Sequence, residues 1–212
     1  MIVNLVAFGI ALLAVFVFEV IKRPRLTVEL HDDRYQVIDA IKDVRQAALM
    51  VRLKTINRPI YKNWIQRNTA TNCRSRITIV DDVGKILQKD IATKWTARRT
   101  PFTLFPGPYY NIPTYIIDDN LVEVCDRLDI YANYCGEELS VAQKVEGDAN
   151  CYLFTGESYR SNNQYRLPKY RIPQGEYILE IFIEGDNAKS PNKKYKLRNQ
   201  GQNKEGLTLD LC

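Results

Sequence analysis

The stretch with the most regular alternation of residue types is Ala48-Leu-Met-Val-Arg-Leu-Lys-Thr-Ile56. The leucines and Val51 fall on one face of an extended segment, and Arg52 and Lys54 fall on the other. This period of two predicts a β-strand with one face in a hydrophobic core and the other in water. The fold prediction starts from this strand, because the same pattern recurs along most of the chain.

The alternation recurs in residues 73–80, which lead through a turn at 81–85 into a predicted return strand over 86–95. Further strands are predicted over 26–30, 114–117, 128–133, 151–155, 176–184, 194–197 and 207–211. Residues 35–48 carry only a weak helical stripe, and residues 57–72 and 100–113 are predicted connections. Short strands joined by turn residues predict an all-β, antiparallel sandwich domain over residues 26–212.

Residues 1–21 are predicted to be a transmembrane anchor. No charged residue occurs from Ile2 to Phe18, and a helix of about 20 residues crosses the ~30 Å hydrocarbon core of a bilayer. A cleaved signal peptide is one alternative, but no basic residue precedes the apolar run and no small-residue cleavage site ends it. A helix of a soluble core is the other alternative. The sequence favours the uncleaved single-pass anchor over both.

A basic juxtamembrane segment, residues 22–25, follows the anchor and contains Lys22, Arg23 and Arg25. Basic residues flank membrane spans mainly on the cytoplasmic side. The sandwich is therefore predicted to be cytoplasmic, with the extracellular side left open as an alternative. The lipid bilayer is the first predicted partner.

Charge is unevenly divided along the chain, although 30 basic and 25 acidic residues give a net charge of only +5. Residues 22–100 hold 18 basic and 8 acidic residues, a net charge of +10, whereas residues 101–212 hold 12 and 16, a net charge of −4. The basic half supplies the candidate contact residues. They are Lys22, Arg23, Arg25, Arg52, Lys54, Arg58, Lys62, Arg67, Arg74 and Arg76.

These basic residues have three interpretations. Arg52 and Lys54 in one strand, with Arg74 and Arg76 in the next, are predicted to form one basic face if the two strands are neighbours. Such a face is an ordinary solvated surface, a contact with anionic lipid, or a contact with an acidic protein partner. Nucleic acid is not a predicted partner, because no recognisable DNA- or RNA-binding motif is present.

The sequence predicts no catalytic, metal or cofactor site and no small-molecule substrate. No phosphate-binding loop, nucleophile elbow or zinc-helix motif occurs. The single histidine, His31, precedes Asp32 and Asp33 and is predicted to be a surface turn residue. Five cysteines occur without a paired motif: Cys73, Cys125, Cys135, Cys151 and Cys212. They are predicted to be mostly buried free thiols.

Part of the pattern resembles a known group of proteins. The segments that carry the resemblance are Arg52-Leu-Lys-Thr-Ile-Asn57, Asn68-Thr-Ala-Thr-Asn-Cys-Arg-Ser-Arg-Ile-Thr-Ile79, Asp82-Val-Gly-Lys85, Lys94-Trp95 and Gly175-Glu-Tyr-Ile-Leu-Glu-Ile-Phe-Ile183. They are similar to prokaryotic, largely archaeal, membrane-anchored proteins of unknown function with an immunoglobulin-like β-sandwich. The resemblance implies that fold and an anchored topology, and it implies no activity. The chain departs from the pattern in its longer 58–67 connection, and it lacks the Cys-Trp-Cys spacing of antibody domains.

The sequence therefore favours a non-enzymatic, single-pass, membrane-anchored module that binds a protein or assembles a complex at the membrane surface. A pilin-like or envelope subunit with an extracellular β-domain is the alternative, because such subunits also join an apolar helix to a β-domain. No processing site for such a subunit precedes the apolar run. A third class is an enzyme whose site is assembled from unremarkable residues such as His31, Asp118 and Asp119.

Overall fold

The computed structural model describes residues 2–31, 35–39, 46–61, 66–97, 102–105, 114–117, 126–132, 135–160 and 166–212. Within these ranges most of the chain is antiparallel β-structure, as the sequence predicts. The strands are β1 (Leu26–Leu30), β2 (Tyr35–Asp39), β3 (Gln46–Asn57), β4 (Ala70–Asp81), β5 (Ile86–Ile91), β6 (Phe102–Phe105), β7 (Thr114–Ile117), β8 (Arg127–Ile130), β9 (Glu137–Val145), β10 (Cys151–Leu153), β11 (Arg171–Ile172), β12 (Gly175–Glu184), β13 (Lys193–Asn199) and β14 (Leu207–Leu211).

The first sheet is built around β3 and has the strand order β1-β3-β9-β10-β11. β1 and β2 pair with successive parts of β3, along the edge that β9 leaves open. The predicted alternation in β3 is confirmed, since Leu49 and Leu53 are fully buried and Lys54 is half-buried. Residues 35–48, which the sequence leaves ambiguous, include β2, where the β-branched Val37 and Ile38 pair with β3 in a strand ladder.

The second sheet has the order β14-β13-β12-β4-β5, and β8 also pairs with β4, beside the start of that strand. The predicted inward face of β4 is confirmed, because Cys73, Ile77 and Ile79 are fully buried. The predicted 81–85 turn is present, with Gly84 at a φ of +90°. The return strand is shorter than predicted, since β5 ends at Ile91. β6 and β7 form a separate two-stranded sheet.

Both six-stranded sheets contribute to one hydrophobic core, and two aromatic side chains connect them directly. Trp95 is fully buried, and its backbone bridges to Leu139 of β9 in the first sheet. Its indole N–H donates to the carbonyl of Cys73 in the second sheet at 3.0 Å. The Tyr195 hydroxyl of β13 donates to the carbonyl of Val28 in β1, also at 3.0 Å. The arrangement is a β-sandwich whose two layers are hydrogen-bonded through the core.

A buried lysine joins the two sheets at one end of the sandwich. Lys144 of β9 is fully buried, and its Nζ donates to Asn199 Oδ1 at 2.6 Å. It also donates to the carbonyls of Gln200 and Gly201 at 2.9 and 2.8 Å. An ammonium group has three donors, so these three acceptors satisfy it completely.

A helical segment precedes the sandwich. Helix α1 covers Ile2–Phe16 and passes into a π-helical turn at Val17–Ile21. Among the residues that the structure describes, no helix combines the length and the apolar character needed to cross a membrane. The apolar side chains of the segment are largely exposed, at 64% for Phe8, 63% for Leu13 and 54% for Phe18.

Candidate functional site

The structure divides the predicted basic residues into two groups. Arg52 and Lys54 lie on β3 of the first sheet, whereas Arg74 and Arg76 lie on β4 of the second sheet. The prediction that these four side chains share one basic face is therefore wrong, because β3 and β4 are consecutive in sequence but belong to opposite layers. Lys62 lies outside the described residues.

The candidate arginine on the first sheet, Arg52, is neutralised by its neighbours. The Arg52 guanidinium donates to Glu138 Oε2 of β9 at 2.9 Å, and its side chain is only 11% exposed. His31 Nε2 lies 3.0 Å from the other oxygen of the same carboxylate. His31 is thus 16% exposed and bonded across the sheet, so the surface-turn prediction is wrong for its side chain. Asp32 and Asp33 lie outside the described residues.

The arginines on the second sheet are neutralised too. Arg74 pairs with Asp126 at 2.8 Å, and Arg76 pairs with Asp90 at 2.9 Å and with Glu184 at 3.3 Å. These arginines line an open cleft of about 240 Å³ together with Asn72, Arg127, Glu184, Gly185 and Asp186. The cleft mixes cations and carboxylates in contact, as expected of a solvated ion-pair surface.

The remaining basic residues gather where the helical segment meets the sandwich. We call this group the basic collar, and its members are Lys22, Arg23, Arg25, Arg58 and Arg67. Three separate chain segments supply it, and hydrogen bonds between those segments hold it together. Arg23, Arg25 and Arg58 are exposed, with 58% of the Arg58 side chain accessible.

Arg67 fastens the helical segment to the sandwich. Its guanidinium donates to the carbonyls of Ile21 and Arg23 at 2.8 and 3.1 Å, and its Nε donates to the carbonyl of Arg58 at 3.0 Å. Burial, followed by the nearby charge of Arg25, lowers the pKa of Arg67. The last carbonyls of a helix lack intrahelical partners and attract cations, so Arg67 serves as a cap supplied by the β-domain.

Two asparagines also form hydrogen bonds where the helical segment meets the sandwich, a contact region that we call the joint. The backbone N–H of Asn68 donates to the carbonyl of Lys22 at 2.7 Å. Asn57 is fully buried at the end of β3, where its Oδ1 accepts the Arg25 N–H at 3.2 Å. Its Nδ2 donates to the carbonyls of Asn68 and Ile130 at 2.9 and 3.2 Å. The sequence shows Asn57 only as a polar residue that ends a strand, and nothing local marks it as the centre of a joint.

Replacing Arg67 with glutamine is expected to loosen the joint. Charge-assisted hydrogen bonds stabilise by about 1.5–3 kcal/mol when shielded from water, and the low end applies at this half-exposed site. Trypsin cleavage after Arg25, in the full chain in detergent micelles, should therefore become about tenfold faster. Arg198→Gln, which removes an arginine ion-paired on the outer face of the second sheet, should leave that rate unchanged. Equal cleavage rates for Arg67→Gln and the unaltered chain would contradict the role of Arg67.

Four of the five cysteines lie in the described residues, and two of these four are buried while two are exposed. Cys73 and Cys151 are buried free thiols as predicted, whereas Cys135 and Cys212 are exposed. Cys135 departs from the prediction because it precedes Gly136, a turn residue with a φ of +65°. Cys125 lies outside the described residues.

The two classes of thiol are expected to react very differently. Burial raises the pKa of both Cys73 and Cys151 from 9.0 to about 12. At pH 8 this lowers their thiolate fraction about a thousandfold. Under native conditions, iodoacetamide should alkylate Cys135 and Cys212 within minutes and reach the buried pair only after denaturation, as read by peptide mass spectrometry. Native alkylation of Cys73 at the rate of Cys212 would contradict the described core.

Apolar side chains are also exposed at the end of the sandwich away from the helix. We call Val83, Ile86 and Leu87 the distal tip; their exposures are 87%, 52% and 36%. β4 starts near the collar and ends at this hairpin, which places the tip about 36 Å away. The β4–β5 ladder shifts register twice, and Asp90 has a φ of +60°. Because such irregularities block strand addition, the tip presents exposed side chains and not a free strand edge.

Among the described residues, no group of three histidine, cysteine or carboxylate side chains is placed to hold a metal ion. Asp118 and Asp119, candidates for an unrecognised active site, lie outside those residues. Comparison with known proteins gives no match, whether to a protein-family model, a curated protein or a solved structure. The resemblance to membrane-anchored immunoglobulin-like proteins therefore stays a prediction.

Proposed function

We propose that this protein is a membrane-anchored β-sandwich that binds or assembles other proteins at the bilayer surface and catalyses no reaction. The helical segment of residues 2–21 is the anchor in this proposal, and the sandwich is the binding domain. The immunoglobulin-like architecture is part of the proposal, supported by two antiparallel sheets around the buried Trp95.

One observation carries the proposal: the helical segment exposes apolar side chains on all sides. Val6, Phe8, Leu12, Leu13 and Val15 are each more than half exposed, although they point in different directions around the helix. A helix that is apolar all round is stable when lipid or protein surrounds it. The joint at Arg67 supports an anchor rather than a loose tail, because it fixes the end of the helix to the sandwich.

The anchor is tested by membrane fractionation of cells that produce the full chain. The unaltered protein should stay in the membrane fraction after washes with high salt and alkaline carbonate. Phe8→Lys combined with Leu12→Lys should release it, since each lysine at a helix centre costs about 2.5–3.5 kcal/mol of insertion free energy. The matched control is Val83→Lys, which makes the same kind of change at the distal tip and should not release the protein. Extraction of the unaltered chain by carbonate would contradict the anchor.

The side of the membrane is tested with the two exposed thiols. The basic collar supports a cytoplasmic sandwich, because basic residues flank spans on that side. A membrane-impermeant maleimide should then label Cys135 and Cys212 in lysed cells and leave them unlabelled in intact cells. Labelling of intact cells would reverse the orientation.

The distal tip supports the binding part of the proposal. Its apolar side chains lie far from the anchor, where a partner in the aqueous phase reaches them. A photo-crosslinking residue at position 83 should yield one defined adduct in cells. The same residue at Lys189, which is 68% exposed and polar, should yield none. Equal adducts at both positions would remove the tip as a specific binding surface.

The pilin-like alternative is favoured by the same exposed helix, which could pack against copies of itself in an assembly. Disulfide trapping separates the two functions. Under oxidising conditions, Leu12→Cys should form a disulfide-linked dimer in cells if helices pack in a filament, and no dimer through this position if lipid surrounds a single anchor. Robust hydrolase or redox turnover by the purified full chain would instead favour the enzyme class.

A further inference from the structure

We propose that the basic collar is a docking surface for anionic lipid headgroups. The inference rests on the proposed function, because an anchored helix is what brings the collar to the membrane. The collar begins at Lys22, the residue directly after the helical segment ends at Ile21.

The collar combines charge with exposure at the place where a membrane surface would lie. Arg23, Arg25 and Arg58 are exposed, and Lys22 and Arg67 are half-buried beside them. The acidic residues of the same segments are Glu19 and Glu29, and Glu29 is paired with Arg58. Five cations are therefore counted against two carboxylates, and the collar keeps a net positive charge.

The cations of the collar have different roles. The guanidinium of Arg67 is occupied by three carbonyls of the joint, so it holds the structure together. The side chains of Arg23 and Arg25 extend from an exposed segment whose backbone the joint holds in place. Headgroup contact is therefore assigned to Arg23 and Arg25, whereas Arg58 is paired with Glu29.

An aromatic side chain contacts the collar, and a second follows Arg58 closely in sequence. The Lys22 ammonium lies 5.0 Å from the centre of the Phe18 ring, and Tyr61, close to Arg58 in sequence, is 61% exposed. Basic and aromatic residues together are typical of the headgroup region, where one end of a side chain is apolar and the other is charged.

Lipid fits the collar better than an acidic protein does. The electrostatic attraction of an anionic leaflet extends over about one Debye length, roughly 10 Å, and the collar adjoins the anchor within that distance along the chain. Other arginines predicted for the same role, Arg52, Arg74 and Arg76, lie on the sheets and already contact carboxylates. Among the predicted arginines, exposed charge is thus concentrated next to the anchor, at Arg23 and Arg25.

The test measures partition of the full chain, delivered from dilute detergent, onto floated vesicles. One set is phosphatidylcholine alone, and the other contains about one third phosphatidylglycerol. Each exposed cation strengthens binding to an anionic surface about fivefold. Arg23→Gln with Arg25→Gln should therefore weaken partition onto the anionic vesicles by roughly 10- to 30-fold and leave partition onto neutral vesicles unchanged. The difference should vanish in high salt.

The matched control is Lys85→Gln with Lys89→Gln, which removes the same charge from two exposed residues at the distal hairpin. It should leave both partitions unchanged, and millimolar glycerol phosphate should not compete. Thermal unfolding of both double variants checks that they fold.

Equal binding of the unaltered chain to neutral and anionic vesicles would overturn the inference and leave the anchor intact. An acidic protein would then be the favoured partner of the collar. Competition by glycerol phosphate would overturn the lipid surface in favour of a discrete phosphate site. Absence of binding to either vesicle would overturn the anchor and the inference together.

Discussion

Replacing Trp95 with alanine is expected to lower the free energy of unfolding by about 3–5 kcal/mol. The side chain is fully buried between the sheets, so its removal leaves a cavity in a close-packed core. It also leaves the carbonyl of Cys73 without the indole N–H that it accepts at 3.0 Å. Urea denaturation of the full chain in micelles, followed by tyrosine fluorescence, measures the loss.

Two variants separate packing from hydrogen bonding at this position. Trp95→Phe keeps most of the ring volume and loses the N–H donor, so it should cost less than Trp95→Ala. Phe182→Ala removes an aromatic ring of similar size from the half-exposed outer face of β12 and should cost much less. A loss of under about 1 kcal/mol for Trp95→Ala would show that Trp95 does not join the two sheets.

Strands with strict alternation are predictable from the sequence, because side-chain period and burial coincide in them. β4, β12 and β14 are found where the pattern predicts them, and the turn at Gly84 follows from its need for a positive φ. β1 is found with the predicted bounds. In these strands the buried positions are mostly apolar, so the period of two survives exceptions such as Phe182 on the outer face of β12 and the buried Ser75 of β4.

β9 was not predicted, for a physical reason that the structure makes plain. Its last seven residues are all buried, and they include Ser140, Gln143 and Lys144. Polar residues at buried positions break the alternation on which strand prediction depends. They are tolerated only because distant groups satisfy them, such as Asn199 for Lys144. The central strand of the first sheet is therefore the one whose pattern depends most on tertiary contacts.

Only the part of the candidate site whose residues are close together in the sequence could be predicted. Lys22, Arg23 and Arg25 follow an apolar run and are visible as a juxtamembrane cluster. The neutralisation of Arg52 by Glu138 joins residues 86 positions apart, and it depends on which strands are neighbours. A count of charges along the chain does not show which charges pair in the fold. It therefore overestimates the net positive charge of the predicted basic face.

Replacing Lys144 with methionine is expected to cost about 3 kcal/mol or more of unfolding free energy. Methionine has a similar length, so the change removes the ammonium group and little volume. The buried Asn199 Oδ1 and the partly buried carbonyls of Gln200 and Gly201 each lose a donor, and of these the Gly201 carbonyl still accepts from Gln174 Nε2 at 2.9 Å. A buried acceptor left unpaired costs about 1–3 kcal/mol, and some relaxation offsets the sum. Urea denaturation of the full chain in micelles measures the loss.

The control for Lys144→Met is Lys204→Met, which makes the same substitution nearby. Lys204 Nζ lies 3.8 Å from Glu146 and 3.9 Å from Glu205, and such pairs at a protein surface contribute about 0–1 kcal/mol. The difference between the two variants isolates the burial of the ammonium and its three acceptors. Because Lys144 belongs to the first sheet and Asn199 to the second, the loss should come with faster amide exchange at the ends of both β9 and β13. Exchange that rises in β9 alone would show that Lys144 serves its own strand and does not join the sheets.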